Sequence, residues 1–96
     1  MPIDQRRRDE IAAAVAAYDD AVAPLPRDAV RLLCAMFPAE DVCQRSLDAI
    51  AKDGFDRRHL LRVLRRLVDA GFLSREPGSG NVPSISRLHL PPQVQL

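Results

Sequence analysis

The sequence predicts a mainly α-helical domain closed by a small β-hairpin, and three observations lead there. Apolar residues recur at spacings of three and four in successive stretches up to Ala70, the period of helices with one buried face. Prolines, glycines and short polar residues fall at the boundaries of those stretches, where helices start and stop. After Gly71 the chain instead shows short apolar runs around a turn-rich tip, the pattern of two paired strands. A chain of 96 residues fits one domain, 1–96. It is long enough to bury a core without the staples that chains below about 70–80 residues need. Its 47% hydrophobic content argues against disorder even though charge is plentiful.

The first predicted helix covers residues 4–22, within a segment that extends to residue 23. Ile11, Ala14, Val15, Tyr18 and Val22 form one apolar stripe, alanine favours helix intrinsically, and Asp4 is placed to cap the first turn. Ala23-Pro24-Leu25-Pro26 ends it, because a proline disfavours helical geometry in the residue before it. Such a stripe packs on its own domain or pairs with a second copy. A three-helix core is expected over 27–71. Its first helix covers residues 27–37, with Pro26 suited to the first turn and Pro38 as the stop. Val30, Leu33, Cys34 and Phe37 are its expected inward stripe, which makes Cys34 a small core residue rather than a reactive thiol.

Residues 39–45 read either as a loop with a short strand at Val42-Cys43 or as an early start of the next helix. Ser46, a good cap for SLDAIAKD, favours the loop. Leu47, Ile50 and Ala51 then point inward, and Asp53-Gly54 closes this short helix. Phe55 is a turn hydrophobe, and Asp56 caps a helix from Arg57 to Ala70. Its buried face is Leu60, Val63, Leu64, Leu67 and Val68, with Gly71 as its terminal glycine. The hairpin is expected over 72–90. Phe72-Leu73-Ser74-Arg75 is one strand, Glu76-Pro77-Gly78-Ser79-Gly80-Asn81 a flexible tip, and Ser84 to Leu90 the returning strand. Pro91-Pro92 ends the ordered part and leaves QVQL as a frayed tail.

The two helices around Asp53–Asp56 make a helix-turn-helix. In SLDAIAKDGFDRRHLLRVLRRLVDAGFLSREPGSG, continuing through RLHL, the chain resembles the winged helix-turn-helix superfamily of transcription regulators, such as the MarR-type repressors. Ser46 through Ala51 looks like the first helix of the motif. HLLRVLRRLVDAGFLSR looks like the recognition helix, its terminal glycine and the first wing strand. The likeness is strong over half the chain and looser over residues 27–90. It implies a winged helix-turn-helix with an extra N-terminal helix, sequence-specific binding of double-stranded DNA and a role in transcription regulation. It also implies a wing that reaches the neighbouring minor groove or phosphates.

Charge points the same way. The chain is nearly neutral at +1, yet residues 1–56 carry a net −4 and residues 57–96 a net +5. A basic half on a neutral domain suggests a face built for a polyanion, an ordinary solvated arginine face being the alternative. A major groove about 12 Å wide admits one α-helix. With Leu60, Val63, Leu64 and Leu67 inward, Arg57, Arg58, Leu61, Arg62 and Arg65 lie opposite or flanking them. Arg58 and Arg62 are the candidates for base edges, His59 a weaker one, and Arg57, Arg65 and Arg66 the candidates for phosphates. Arg75 and Arg87 near the hairpin base complete the set. Leu61 stands where the superfamily often has a small polar residue; it suits a thymine methyl or a protein interface. Arg6-Arg7-Arg8 reads as a solvated helix start paired with Asp4, Asp9 and Glu10, or as an arm on the DNA backbone.

Other chemistries find no support in the sequence. Cys34, Cys43, His59 and His89 show no zinc-ligand spacing, and no GxSxG, Walker A or GxGxxG occurs. No catalytic activity, metal or cofactor is therefore expected. Two cysteines make no disulfide framework, MPIDQRRRDE has no apolar leader, and no run of ~18 apolar residues exists, so a cytoplasmic setting is expected. One short helix reads few bases, so a homodimer is expected, with the 4–22 helix as its interface and an added core helix as the alternative. A second function remains open, a winged-helix module or adaptor that docks on protein without reading DNA.

Overall fold

Short polar residues set the helix starts in the computed structural model, which describes residues 4–90. Helix α1 spans Gln5–Ala21, and the Asp4 carboxylate accepts from the Arg6 N–H. Helix α2 spans Ala29–Met36. The short α3, Leu47–Ala51, is capped by Ser46, whose side chain accepts from the Ala49 N–H. Helix α4 spans Arg57–Asp69, with the Asp56 carboxylate accepting from the His59 N–H. Each such cap contributes about 1 kcal/mol. At the far end of α4, Gly71 takes φ +86°. The Gly71 N–H donates to the Val68 carbonyl and the Phe72 N–H to the Leu67 carbonyl, the paired bonds that close a helix on a left-handed residue.

Three strands form one antiparallel sheet in the order β1-β3-β2: β1 is Val42–Cys43, β2 Leu73–Glu76 and β3 Ile85–Leu88. The register pairs Leu73 with Leu88, Arg75 with Ser86, and Cys43 with Ser86. Cross-strand partners share a face, so Leu73, Leu88, Cys43 and Ser86 line the buried side. Ser74, Arg87 and Val42 lie on the outer side. The sheet and all four helices contribute to one core that includes Ile11, Leu32, Leu33, Phe37, Ile50, Leu60, Leu64, Leu67 and Phe72. Each fully buried side chain of this kind stabilises the fold by about 1.5–3 kcal/mol.

Helix α1 is pinned to this body at both ends. Near its start Arg7 Nε donates to the Phe37 carbonyl at 3.1 Å, and Arg7 Nη2 to the Glu40 carbonyl at 3.2 Å and to Asp41 Oδ1 at 2.6 Å. Near its end the Tyr18 ring meets Phe72 edge-on, 5.5 Å between centroids.

Several expectations need correction. The expected hairpin is part of a three-stranded sheet, because Val42-Cys43 pairs with β3; the Leu88 N–H extends that pairing to the Asp41 carbonyl. Helix α2 begins two residues later than expected, at Ala29 rather than Arg27. Pro26 lies in the preceding turn, where its carbonyl accepts from the Ala29 N–H. The buried side of α2 is Ala29, Leu32, Leu33 and Met36, with Val30 and Cys34 only half-buried. Val22 and Val68 are not inward: they are 67% and 39% exposed. The turn-rich hairpin tip does form a closed turn. The Val82 N–H donates to the Ser79 carbonyl at 3.0 Å, and a Cβ on Gly78 would lie 1.9 Å from the Val82 carbonyl oxygen. The expected chain end at Pro91-Pro92 and the frayed tail lie outside the described residues.

Candidate nucleic-acid interface

The buried stripe of α4 decides what the helix shows to solvent. Leu60, Val63, Leu64 and Leu67 face the core. At 3.6 residues per turn, Arg58, Arg62 and Arg65 fall on the opposite side, and all three are exposed. Among the described residues none of the three has an ion pair. Asp69, the last residue of α4, ends the same line. The ridge therefore presents three guanidiniums with their N–H forks available for oxygen acceptors.

The flanks of α4 are committed in different ways. On one side Arg57 Nη1 pairs with Asp48 Oδ1 at 3.0 Å, an exposed contact. Arg57 also lines a cleft of about 340 Å³ together with Arg45, Asp48 and Arg75. Arg75 reaches that cleft because it continues the buried face of the sheet beyond the core. Leu61 and Val68 lie on this flank as well, 44% and 39% exposed. On the other side His59 Nε2 lies 2.7 Å from Asp28 Oδ2. An ionised carboxylate only accepts, so this contact makes Nε2 the nitrogen that carries the proton. It also explains α2, because the Asp28 carboxylate turned toward His59 makes no cap bond to its own helix. Arg66 Nη2 donates to the Pro24 carbonyl at 3.1 Å and ties α4 to the α1–α2 connection.

The nine candidates therefore do not form one patch. Arg58, Arg62 and Arg65 share the ridge, Arg57 and Arg75 share the adjoining cleft, and Leu61 is exposed on the flank between them. His59 and Arg66 bond within the domain. Arg87 stands on the outer face of the sheet, 3.7 Å from Glu76. The sequence reading left Arg45 out of the candidates and gave Arg7 another role. Arg45 joins the cleft, and Arg7, only 15% exposed, is a clamp rather than a solvated charge or an arm. No periodicity marks either role, since both depend on contacts between segments distant in sequence.

Among the described residues no three His, Cys, Asp or Glu side chains gather as a metal would require. No helix there is long and apolar enough to cross a membrane. None of the protein families, curated protein sequences or solved structures compared with this chain gives a significant match.

Proposed function

We propose that the chain is a winged helix-turn-helix transcription regulator of the cytoplasm that binds double-stranded DNA sequence-specifically, with α4 as the groove-entering helix and the β2–β3 hairpin as the wing. The carrying observation is the exposed ridge of Arg58, Arg62 and Arg65 opposite the buried side of α4. A helix about 10–12 Å across fits a major groove about 12 Å wide. Arg58 and Arg62 then meet base edges, and Arg57, Arg65 and Arg75 meet phosphates. His59, Arg66 and Arg87 hold the surrounding structure, and Leu61 supplies an apolar contact at the rim. Two copies pair through the outer face of α1, where Ala13, Ala16 and Ala17 are exposed.

Titrating labelled duplex at several salt concentrations tests this reading. Three phosphate-facing arginines per protomer, doubled in a dimer, give a slope of log K against log salt of about −5. Absence of duplex affinity at ~50 mM salt, where electrostatic binding is strong, overturns it. That outcome favours a protein-docking module, the reading supported by Leu61 and Val68 exposed along one flank of α4.

A further inference from the structure

A groove of about 720 Å³ runs along the side of α2 turned away from the core. Ala29, Leu32, Leu33 and Met36 face inward, and Val30, Cys34 and Ala35, half-buried at the edge of the core, form the groove floor. Four guanidiniums surround that floor: Arg8 from α1, Arg27 and Arg31 from the start of α2, and Arg45 from the segment before α3. Among the described residues, Asp53 is the one carboxylate that lines it. All four cations come from residues 1–56, whose net charge is −4, so the fold collects them against the average of their own segment. No residue of α4 or the hairpin lines this groove.

Two of the cations are held and two are unengaged. Arg31 Nη2 donates to the Gly54 carbonyl at 3.1 Å, and its guanidinium lies 4.4 Å over the Phe55 ring. Arg45 pairs with Asp53 at 3.0 Å and donates to the Ala49 carbonyl at 3.0 Å. A guanidinium has five N–H groups, so each keeps donors for a further acceptor. Arg8 and Arg27 are exposed and make no ion pair with any described residue. The positive field reaches the floor. Burial pushes the Cys34 thiol above its ordinary pKa, and Arg8 and Arg7 pull against that rise.

We propose that this groove is a binding site for a small organic phosphate. The volume lies in the range of small-molecule sites, about 300–1,000 Å³. Planar guanidinium forks match the paired oxygens of a phosphoryl group. Four cations against one carboxylate exceed what a monoanion can neutralise and suit a ligand with several phosphoryl charges. The apolar floor of Val30, Cys34 and Ala35 takes the uncharged body of such a ligand. The site shares no residue with the α4 ridge and only Arg45 with the cleft beside it, so residues 27–37 and 53 report it apart from the DNA reading.

The test is an amide NMR titration of the full chain with ADP as probe. Saturable shifts are expected at residues 27–37, 45 and 53, with Kd below about 1 mM. Arg8→Ala and Arg27→Ala lie outside the core and keep the fold, and each weakens ADP binding about tenfold. Adenosine, lacking phosphate, leaves the spectrum unchanged. The proposal is overturned by absence of saturable shifts up to ~10 mM ADP, by shifts outside the groove, or by unchanged affinity in both variants. It is equally overturned if duplex DNA, and not ADP, shifts residues 27–37, since the groove would then extend the nucleic-acid surface. Duplex shifts at residues 57–66 report the DNA reading separately, so either idea can fail alone.

Discussion

Arg7 and Arg6 are adjacent and chemically identical, yet the fold uses them differently. Arg7 bridges α1 to residues 37–41 through three donated bonds. Arg6 is solvated, and among the described residues its side chain contacts only Glu10, at 3.9 Å. Arg7→Ala should therefore cost about 2 kcal/mol in urea unfolding, and Arg6→Ala less than about 0.5 kcal/mol; equal effects would refute the clamp. The same logic separates the arginines of α4. Arg62→Ala, on the open ridge, should weaken a selected duplex far more than a random one, by about tenfold or more. Arg57→Ala should weaken both alike, as a phosphate contact does. Measured affinities on the two duplexes decide between the roles. The exposure of Arg58, Arg62 and Arg65 was legible in the sequence, because the apolar stripe of α4 fixes what faces outward. The engagement of His59 by Asp28 and of Arg66 by Pro24 was not. Those contacts join residues 31 and 42 positions apart, and no local pattern encodes them.

Elements were most legible where a single residue sets a boundary. Asp4, Ser46, Asp56 and Gly71 each act where the sequence places them. Gly71 offers the cleanest test, since a Cβ there meets nothing within 4 Å and only its φ of +86° matters. Gly71→Ala should destabilise by about 1 kcal/mol through backbone strain alone, read as a lower urea midpoint with unchanged m. A neutral substitution would mean that the α4–β2 junction can relax. Helix α2 shows the limit of this kind of reading. Its apolar positions are numerous enough to fit two stripes, and the choice between them depends on which side the rest of the domain covers. Cys34 was assigned inward by periodicity and stands only half-buried, packed at the edge of the core. The short strand offered at Val42-Cys43 is present, but its partner, β3, was not legible, because two residues carry no pairing pattern.

At the scale of the whole molecule, counting charge along the chain captured half of the electrostatics. The basic C-terminal segment does place its arginines on α4 and the sheet. The acidic N-terminal segment nonetheless builds the arginine groove beside α2, because, of its carboxylates, only Asp53 is among the lining residues. Net charge by segment measures composition, whereas the field at a surface depends on which side chains the fold brings together.

The sheet order also bears on folding kinetics. Strands β2 and β3 are neighbours along the chain, but β1 must find β3 across both α3 and α4. The entropy of closing so long a loop is met before that pairing returns any energy, so β1 should dock late, after the barrier. Cys43→Ala, which trims a buried side chain of β1, should then accelerate unfolding while leaving the refolding rate nearly unchanged, with φ below about 0.3. A stopped-flow chevron shows this directly, and a slowed refolding arm would instead place β1 in the nucleus.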